Sequence, residues 1–384
     1  MGGVKATSEN PGSVKDWTVK IVLLCFTIAV CLGMGEIIVR GLVGDIVLAP
    51  RYHTDAVYGD FVLRRLRPNS VFWHTSRDGS WKFVTNAQGF RDTEDYAYDK
   101  PEGLLRVISL GDSHTQGFEV RQRRTFSEVI GRALKGRGIE AQVLNTGISG
   151  FSTAEELAFL ENEGIKYKPD VVILGFFAND FSDNLKAGLF ALEHGELVVK
   201  RTTHTPGVRI LKAINAVAPL RWLSENSYLY SLAMNTVWNT AKRLLLSRSE
   251  AALQTEYAIP TEQITAYKET LMVRLLERMY DFCRKRGIRL IIVDIPWRAK
   301  SGGDVFKSSV PPAMVPEFRA NSDSFISSDE VLGDYRDVAE FHLPHGHRHI
   351  SEFTHLMLGL AAARAIIEGL DGQAADRTKT SDMR

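Results

Sequence analysis

The feature that most constrains this chain is a strand-to-turn junction at residues 104–117. Residues 106–110 are rich in β-branched and aliphatic side chains, which is typical of a buried strand, and Gly111 lets the chain reverse without a Cβ clash. Ser113 then stands where the strand ends, ahead of a helix predicted over 125–134, so nearby backbone N–H groups are free to face an anion. Gly, Asp and Ser also favour ordinary turns, so the segment alone allows a turn without chemistry. The pattern makes the Ser113 hydroxyl a candidate nucleophile.

Two further segments end in polar groups that suit the same chemistry. Gly150 follows a short apolar strand predicted at 141–144, and Asn179 follows a buried strand that begins at Asp170. In an open parallel sheet, ligands bind beyond the carboxyl ends of the strands, where all three candidates lie. The backbone N–H groups of Ser113 and Gly150 and the amide of Asn179 are therefore predicted to form an oxyanion hole.

Taken in order, Gly111-Asp112-Ser113, Gly150, Asn179 and a histidine near the C-terminus resemble the four blocks of the SGNH (GDSL-type) hydrolase family. The resemblance covers about residues 104–370 and is more specific than any one block. It implies an α/β, flavodoxin-like, three-layer fold with a parallel five-stranded sheet, and a Ser–His hydrolase of acyl esters. Residues 86–92 and the apolar N-terminus are similar to a membrane-anchored bacterial branch, some members of which handle acyl groups on exported polysaccharides.

The sequence departs from the family at two places. Phe177 stands two residues before Asn179, where the family usually has Gly, so the hole is shaped differently. The family's last block is Asp-x-x-His, but no Asp stands three residues before any histidine of segment 341–359. The general base must therefore be chosen on other grounds.

The start of the last helix indicates which histidine is the base. Ser351 is a good N-cap and Glu352 suits a first helical turn, so the terminal helix is predicted to begin at about Glu352. His349 lies just before this helix, as the family's histidine does, and is predicted to be the general base. His355, with Glu352 three residues earlier, is the second choice.

The missing Asp leaves the orientation of the imidazole open. A dyad is possible, and a backbone carbonyl or another carboxylate can do part of the acid's work. Loss of the acid also costs rate, so a weakened or vestigial enzyme is an alternative interpretation. Asp112 is interpreted as a turn-stabilising residue rather than the acid.

Three histidines, His345, His347 and His349, would share one face of an extended segment, which a metal could use. No carboxylate or cysteine set at ligand spacing accompanies them, so a polar loop lining the cleft is the preferred interpretation. No metal and no cofactor is predicted.

The N-terminal apolar segment predicts a membrane anchor at residues 19–40. No Ala-x-Ala cleavage pattern follows it, which favours an uncleaved anchor over a removed signal peptide, while Glu36 leaves a buried soluble helix as the alternative. Lysines at positions 5, 15 and 20 precede the apolar run that begins at Ile21 and favour a cytoplasmic tail at 1–18. The catalytic domain is then expected outside the cytoplasm.

The remaining chain divides by composition. Residues 41–103 form a predicted β-rich preamble, 104–370 the hydrolase domain, 186–260 a helical insertion predicted to cap the site, and 371–384 a loose polar tail. Within the insertion, amphipathic helices are predicted at 209–217 and 228–245, with breaks at Pro206 and Pro219. A fifth core strand is predicted near 338–343. The net charge of +1 gives no argument for nucleic acid, three cysteines provide no disulfide framework, and no protein partner is indicated.

These patterns predict a membrane-anchored serine esterase or O-acyltransferase, with a small acyl ester or acylated carbohydrate as substrate. The alternative is a binding or assembly component of a polysaccharide system that kept the fold and lost the chemistry. The absent Asp-x-x-His acid favours the alternative, and the intact Ser113, Gly150 and Asn179 set disfavours it.

Overall fold

The structure is a computed structural model that describes residues 14–43, 53–76, 78–203, 214, 216–245, 265–298, 306–336, 338–345 and 349–382. Its first element is the long helix α1 (Val14–Val43). Residues 16–42 of α1 are long and apolar enough to cross a membrane, and the most apolar 18 residues among them are exposed, whereas Val39 near the end of the helix is buried. The apolar helix is therefore present where the sequence predicts an anchor, and it has the character of an anchor or of a signal sequence.

Two antiparallel hairpins follow and confirm the β-rich character of the preamble. The first pairs β1 (His53–Tyr58) with β2 (Phe61–Leu66), and the second pairs β3 (Val71–Ser76) with β4 (Gly79–Val84). Alternate side chains of β2 and β4 are buried, as expected of strands with one face on a core.

The centre of the protein is a five-stranded sheet in which every pair of neighbours is parallel. Its strands are β5 (Leu105–Gly111), β6 (Ala141–Asn145), β7 (Val171–Phe176), β10 (Arg289–Asp294) and β11 (Ser324–Ile326). The spatial order is β11-β10-β7-β5-β6, the doubly wound, flavodoxin-like arrangement, which confirms the predicted fold. The central strands β5 and β7 are buried along their whole length because helices cover both faces.

Helices cover the sheet on two sides. The helices after α1 in the described part of the chain are α2 (Ser113–Gln116), α3 (Phe126–Gly136), α4 (Thr153–Asn162), α5 (Asp180–Ala187), α6 (Ala218–Asn226), α7 (Tyr228–Leu245), α8 (Ala266–Arg284), α9 (Val315–Ala320), α10 (Ser328–Leu332) and α11 (Glu352–Asp382). One apolar core lies between the sheet and a face that includes α4 and α8, and the first hairpin also packs on it. The other lies between the sheet and α3 and α11. A small hairpin, β8 (Phe190–Glu193) and β9 (Glu196–Val199), opens the insertion.

The structure differs from the sequence-based expectation at three places. The fifth strand is β11, at 324–326, and not the segment near 338–343, which instead makes a single bridge between His342 and Ile350. Helix α11 continues to Asp382, into the predicted loose tail, because extending a docked helix needs no new nucleation. A helix that the sequence does not predict, α6, occupies Ala218–Asn226, and Pro219 lies in its first turn, where proline is tolerated.

The described part of the insertion is β8, β9, α6 and α7. Of these elements, α7 packs on α1, β8 on α5 and β9 on α8. Thr203 also forms a β-bridge with Val62 of β2. The helix predicted at 209–217 lies largely outside the described residues. A capping role for the insertion stays a prediction.

Candidate active site

The turn that carries Ser113 is held by two local constraints. Gly111 has φ +150°, and a Cβ there would come 2.0 Å from the Thr115 hydroxyl, so the strand ends in a conformation that glycine alone adopts without strain. Asp112 caps α2, accepting a hydrogen bond from the His114 backbone N–H at 2.8 Å. Ser113 is thereby presented at the N-terminus of α2, at the carboxyl end of β5.

His349 reaches this serine from the segment that precedes α11. Its Nε2 lies 2.9 Å from the Ser113 Oγ, although the two residues are 236 positions apart in the chain. The segment is fixed on both sides, because Leu343 N–H donates to the His349 carbonyl at 2.9 Å and Ser351 N–H donates to the Phe341 carbonyl at 2.8 Å. Sequence reasoning placed the base here, and the geometry is that of a serine hydroxyl and its general base.

Glu119 has the position that the acid missing from the sequence motif would occupy. The Glu119 Oε2 lies 3.2 Å from the Nδ1 of His349, on the ring nitrogen opposite the serine, and the residue is fully buried. Burial raises the pKa of the Glu119 carboxyl, but hydrogen bonds from His349 and His74 outweigh burial, and the net pKa lies well below the ordinary value. The carboxylate is therefore ionised, as a group that orients and stabilises an imidazolium must be.

The sequence motif does not identify Glu119, because the family's acid stands three residues before the histidine. Glu119 lies six residues after the nucleophile, at a positive φ of 64°. The one available signal was an acidic side chain between Phe118 and Val120, in a segment with little reason to be charged.

The second hairpin contacts Glu119 and also His345, which lies four residues before His349. His74 of β3 is buried, its ring lies 4.2 Å from that of Phe118, and its Nε2 lies 3.4 Å from the second oxygen of Glu119. Asp78, in the hairpin turn, accepts from the His345 backbone N–H at 3.1 Å and lies 2.9 Å from the His345 Nδ1. The preamble is thus part of the site and steadies both the acid and the loop that leads to the base.

Backbone donors for an oxyanion lie beside the serine. No described residue accepts a hydrogen bond from the N–H of Ser113 or Gly150. The Gly150 loop is tied to α2, because the backbone N–H and hydroxyl of Ser149 both donate to the Gln116 side chain, at 2.7 and 2.6 Å. Arg64 of β2 donates to the Gly150 carbonyl at 2.8 Å, which leaves the N–H of that residue as its open polar group. These contacts suit the predicted oxyanion hole.

Asn179 faces carboxyl groups beneath the site. Its Nδ2 donates to Asp183 at 2.8 Å. A hydrogen bond from the same side chain also lowers the pKa of Asp112, although burial raises that pKa by more. Its Oδ1 is buried, and no described residue bonds to it. Its place in the oxyanion hole stays a prediction.

Five buried carboxyl groups lie below the nucleophile and the Gly150 loop. Burial raises the pKa of Asp112 and of Glu155 to about 7, and it raises the pKa of the other members as well. The other members are Glu156, Asp180 and Asp183. Because burial raises its pKa towards neutral pH and its side chain caps α2, Asp112 is assigned to the fold of the turn rather than to the role of the catalytic acid.

The other candidates lie away from the serine or beyond the described residues. His355 is fully buried, accepts from the Phe126 N–H at 3.1 Å, and burial lowers its pKa to about 3, so it is a neutral core residue. Glu352 pairs with Arg121, whose Nε lies 2.7 Å away. His347 lies outside the described residues. Within the described part of the chain, no group of three acidic, histidine or cysteine residues is arranged to hold a metal.

An α/β sheet with a Ser–His–Glu constellation at its carboxyl edge defines a serine hydrolase. The sequence matches the GDSL-like lipase/acylhydrolase family over residues 109–310, which is more than half of the 384-residue chain. The chain belongs to this family and is an acylhydrolase that acts on ester bonds.

Comparison with other proteins adds two similar solved structures. A lipase/acylhydrolase from Enterococcus faecalis is 18% identical with a TM-score of 0.38, and the match covers 68% of this chain and 95% of that one. A catalytic mutant of an acetylxylan esterase from Geobacillus stearothermophilus is 12% identical with a TM-score of 0.36, covering 68% of this chain and 94% of that one. A search of curated protein sequences found no match.

Proposed function

We propose that this protein is a membrane-anchored serine esterase or O-acyltransferase that removes small acyl groups, acetyl above all, from esters of cell-envelope carbohydrate. The contact that carries the catalytic part is the 2.9 Å approach of His349 Nε2 to the Ser113 Oγ, with Glu119 at the opposite ring nitrogen. The buried acid also argues against the alternative of an inactive binding component, since its carboxylate has the position that a catalytic acid needs.

The first half of the reaction acylates the enzyme. Ser113 Oγ attacks the ester carbonyl carbon while His349 Nε2 takes the hydroxyl proton, and Glu119 stabilises the resulting imidazolium through Nδ1. The negative charge that develops on the carbonyl oxygen is met by the N–H groups of Ser113 and Gly150. The intermediate then expels the alcohol, which takes the proton from His349, and leaves an acyl group on Ser113.

The second half returns the serine. A water molecule, or the hydroxyl of a second sugar, attacks the acyl carbonyl and gives its proton to His349. The Ser113 oxygen leaves with that proton, which releases a carboxylic acid in the hydrolase and a new ester in the transferase.

The location follows from α1. A 27-residue exposed apolar helix with lysines before it is the pattern of an N-terminal anchor with its tail in the cytoplasm, and it supports a catalytic domain beyond the membrane. Tags at residue 2 and residue 384, tested for protease access in intact cells, check this topology. A protected C-terminal tag would contradict the extracytoplasmic location.

The catalytic proposal is tested by the full chain in detergent with p-nitrophenyl acetate. Ser113→Ala is expected to lower kcat by about 10³-fold or more, because the covalent route is lost. A fluorophosphonate should label the Ser113 peptide of the wild-type protein, as read by mass spectrometry. Ser149→Ala, at the neighbouring loop, should keep the label on Ser113.

Equal rates for Ser113→Ala and the wild-type protein would remove the proposal of catalysis by this serine. An acetylated oligosaccharide then separates the two reaction types. Release of free acetate alone identifies a hydrolase, and transfer of the acetyl group to an added sugar identifies a transferase.

A further inference from the structure

The last turns of α1 are built into the folded protein through Glu36. Its carboxylate accepts hydrogen bonds from the Ser227 hydroxyl at 2.7 Å and from the backbone N–H groups of Tyr228 and Leu229 at 2.9 and 3.0 Å. These are the first N–H groups of α7, which have no partner inside their own helix. A carboxylate inside an apolar helix thus accepts the first N–H groups of another helix nearly 200 residues away in the chain.

Arg40, one turn further along α1, strengthens the same junction. Its Nε lies 2.7 Å from Glu36, its Nη2 donates to the Asn226 carbonyl at 2.8 Å, and its guanidinium lies 4.8 Å from the ring of Tyr228. Val39 is buried between these side chains and Leu232. The end of α1, the end of α6 and the start of α7 therefore form one packed unit.

Around this unit, large apolar side chains face outward. On α6 and α7, Trp222 is 61% exposed and Val237 is 62% exposed. On the adjoining part of α1, Ile37 is 72% exposed and Leu42 is 76% exposed. These side chains belong to α1 and to the two helices packed at its end, and Trp222 stands next to Arg221, a pairing typical of the membrane–water interface.

We infer that α6 and α7 lie on the outer surface of the lipid bilayer around the exit of α1, with Trp222 inserted among the headgroups. This inference rests on the proposed anchoring by α1. The last two turns of α1 are bonded to α6 and α7. These two helices are therefore held at the depth at which α1 leaves the membrane. The exposed apolar side chains then meet lipid.

Two tryptophans of equal exposure allow a matched test. The full chain is reconstituted in phosphatidylcholine–phosphatidylglycerol vesicles, with or without bromine on the upper acyl chains, which quenches nearby tryptophan fluorescence. The contribution of Trp222 is the wild-type spectrum minus that of Trp222→Phe. The control is Trp73→Phe, which removes a 60% exposed side chain on β3. Melting temperature and p-nitrophenyl acetate hydrolysis in detergent check that both variants are folded.

The Trp222 contribution should fall about twofold or more in brominated vesicles, because an interfacial ring lies close to the labelled carbons. The Trp73 contribution should stay unchanged. An unquenched Trp222 in vesicle-bound protein would overturn the inference and indicate that protein, a second copy of the chain included, covers this face.

Failure of the anchoring itself gives a different result. Trp17, near the start of α1, is quenched whenever α1 is inserted, whatever the position of α6 and α7. If the protein does not float with the vesicles and Trp17 is not quenched, the anchor fails and the inference fails with it. Flotation with quenched Trp17 and unquenched Trp222 rejects the surface contact alone.

Discussion

Glu119 meets the physical requirements of a catalytic acid without standing at the acid position of the family's Asp-x-x-His motif. An acid must accept a hydrogen bond from His349 Nδ1 and remain ionised, and neither requirement specifies where the residue lies in the chain. Glu119 meets both from the turn after the nucleophile, because its carboxylate is buried between two histidines. Glu352, which imitates the family spacing relative to His355, is instead paired with Arg121.

Glu119→Gln is expected to lower kcat by about 10²–10⁴-fold with a smaller change in KM, because the amide cannot stabilise the imidazolium. Steady-state hydrolysis of p-nitrophenyl acetate measures the effect. The matched control, Glu352→Gln, should stay within about twofold of the wild-type rate, since a half-exposed ion pair away from the serine contributes little. The reverse ranking of the two variants would contradict the assignment of the acid.

Among the helices, the close packing of α11 on α3 is what places His349. Gly359 of α11 lies against Val129 of α3, and a Cβ at Gly359 would come 2.7 Å from the Val129 Cβ and 3.0 Å from the Phe126 carbonyl oxygen. Gly131, on α3, has room, because its nearest neighbour would be the Val143 Cγ2 at 3.6 Å. A methyl group therefore fits at Gly131 but clashes with α3 at Gly359.

Gly359→Ala is expected to lower the free energy of unfolding by about 1–3 kcal/mol, because α3 must move away from α11. Gly131→Ala should raise it by about 0.5–1 kcal/mol, since alanine favours the helix and fits. Thermal and urea unfolding of the full chain in detergent measure both. Equal effects of the two variants would show that this contact does not limit the packing.

For the whole molecule, the buried carboxyl groups couple stability to pH. A group whose folded-state pKa is raised contributes stability that is present below its unfolded pKa and is lost as pH rises through its folded pKa. For Glu155 the window runs from the ordinary value of 4.5 to about 7. The contribution of Glu155 to stability is therefore expected to fall as the pH is raised across this window.

Glu155→Gln removes one proton site and keeps the capping of α4, because the Gln oxygen can accept from the Ser152 N–H as Glu155 does at 2.8 Å. The variant and the wild-type protein should be similarly stable near pH 4.5, and the variant should gain up to about 3 kcal/mol relative to wild type by pH 7.5. Melting temperatures across this range, with the exposed Glu102→Gln as control, measure the difference. A gap that does not grow with pH would contradict the buried titration.

Local sequence determined the elements of this protein. The buried strand before Gly111, the turn that presents Ser113 and the start of α11 at Glu352 follow from side-chain patterns and capping preferences that act between near neighbours. The order of the strands in the sheet came from the resemblance to a family, since parallel pairing joins segments that no local pattern connects.

Only the tertiary structure decided which groups meet. Ser113, Glu119 and His349 converge because β5 and the loop before α11 end at the same edge of the sheet, and the second hairpin closes over them. The fifth strand was predicted in the wrong segment for the same reason, since a three-residue edge strand is specified by its partner β10. Contacts between residues 230 or more positions apart depend on tertiary packing, which a local sequence pattern does not specify.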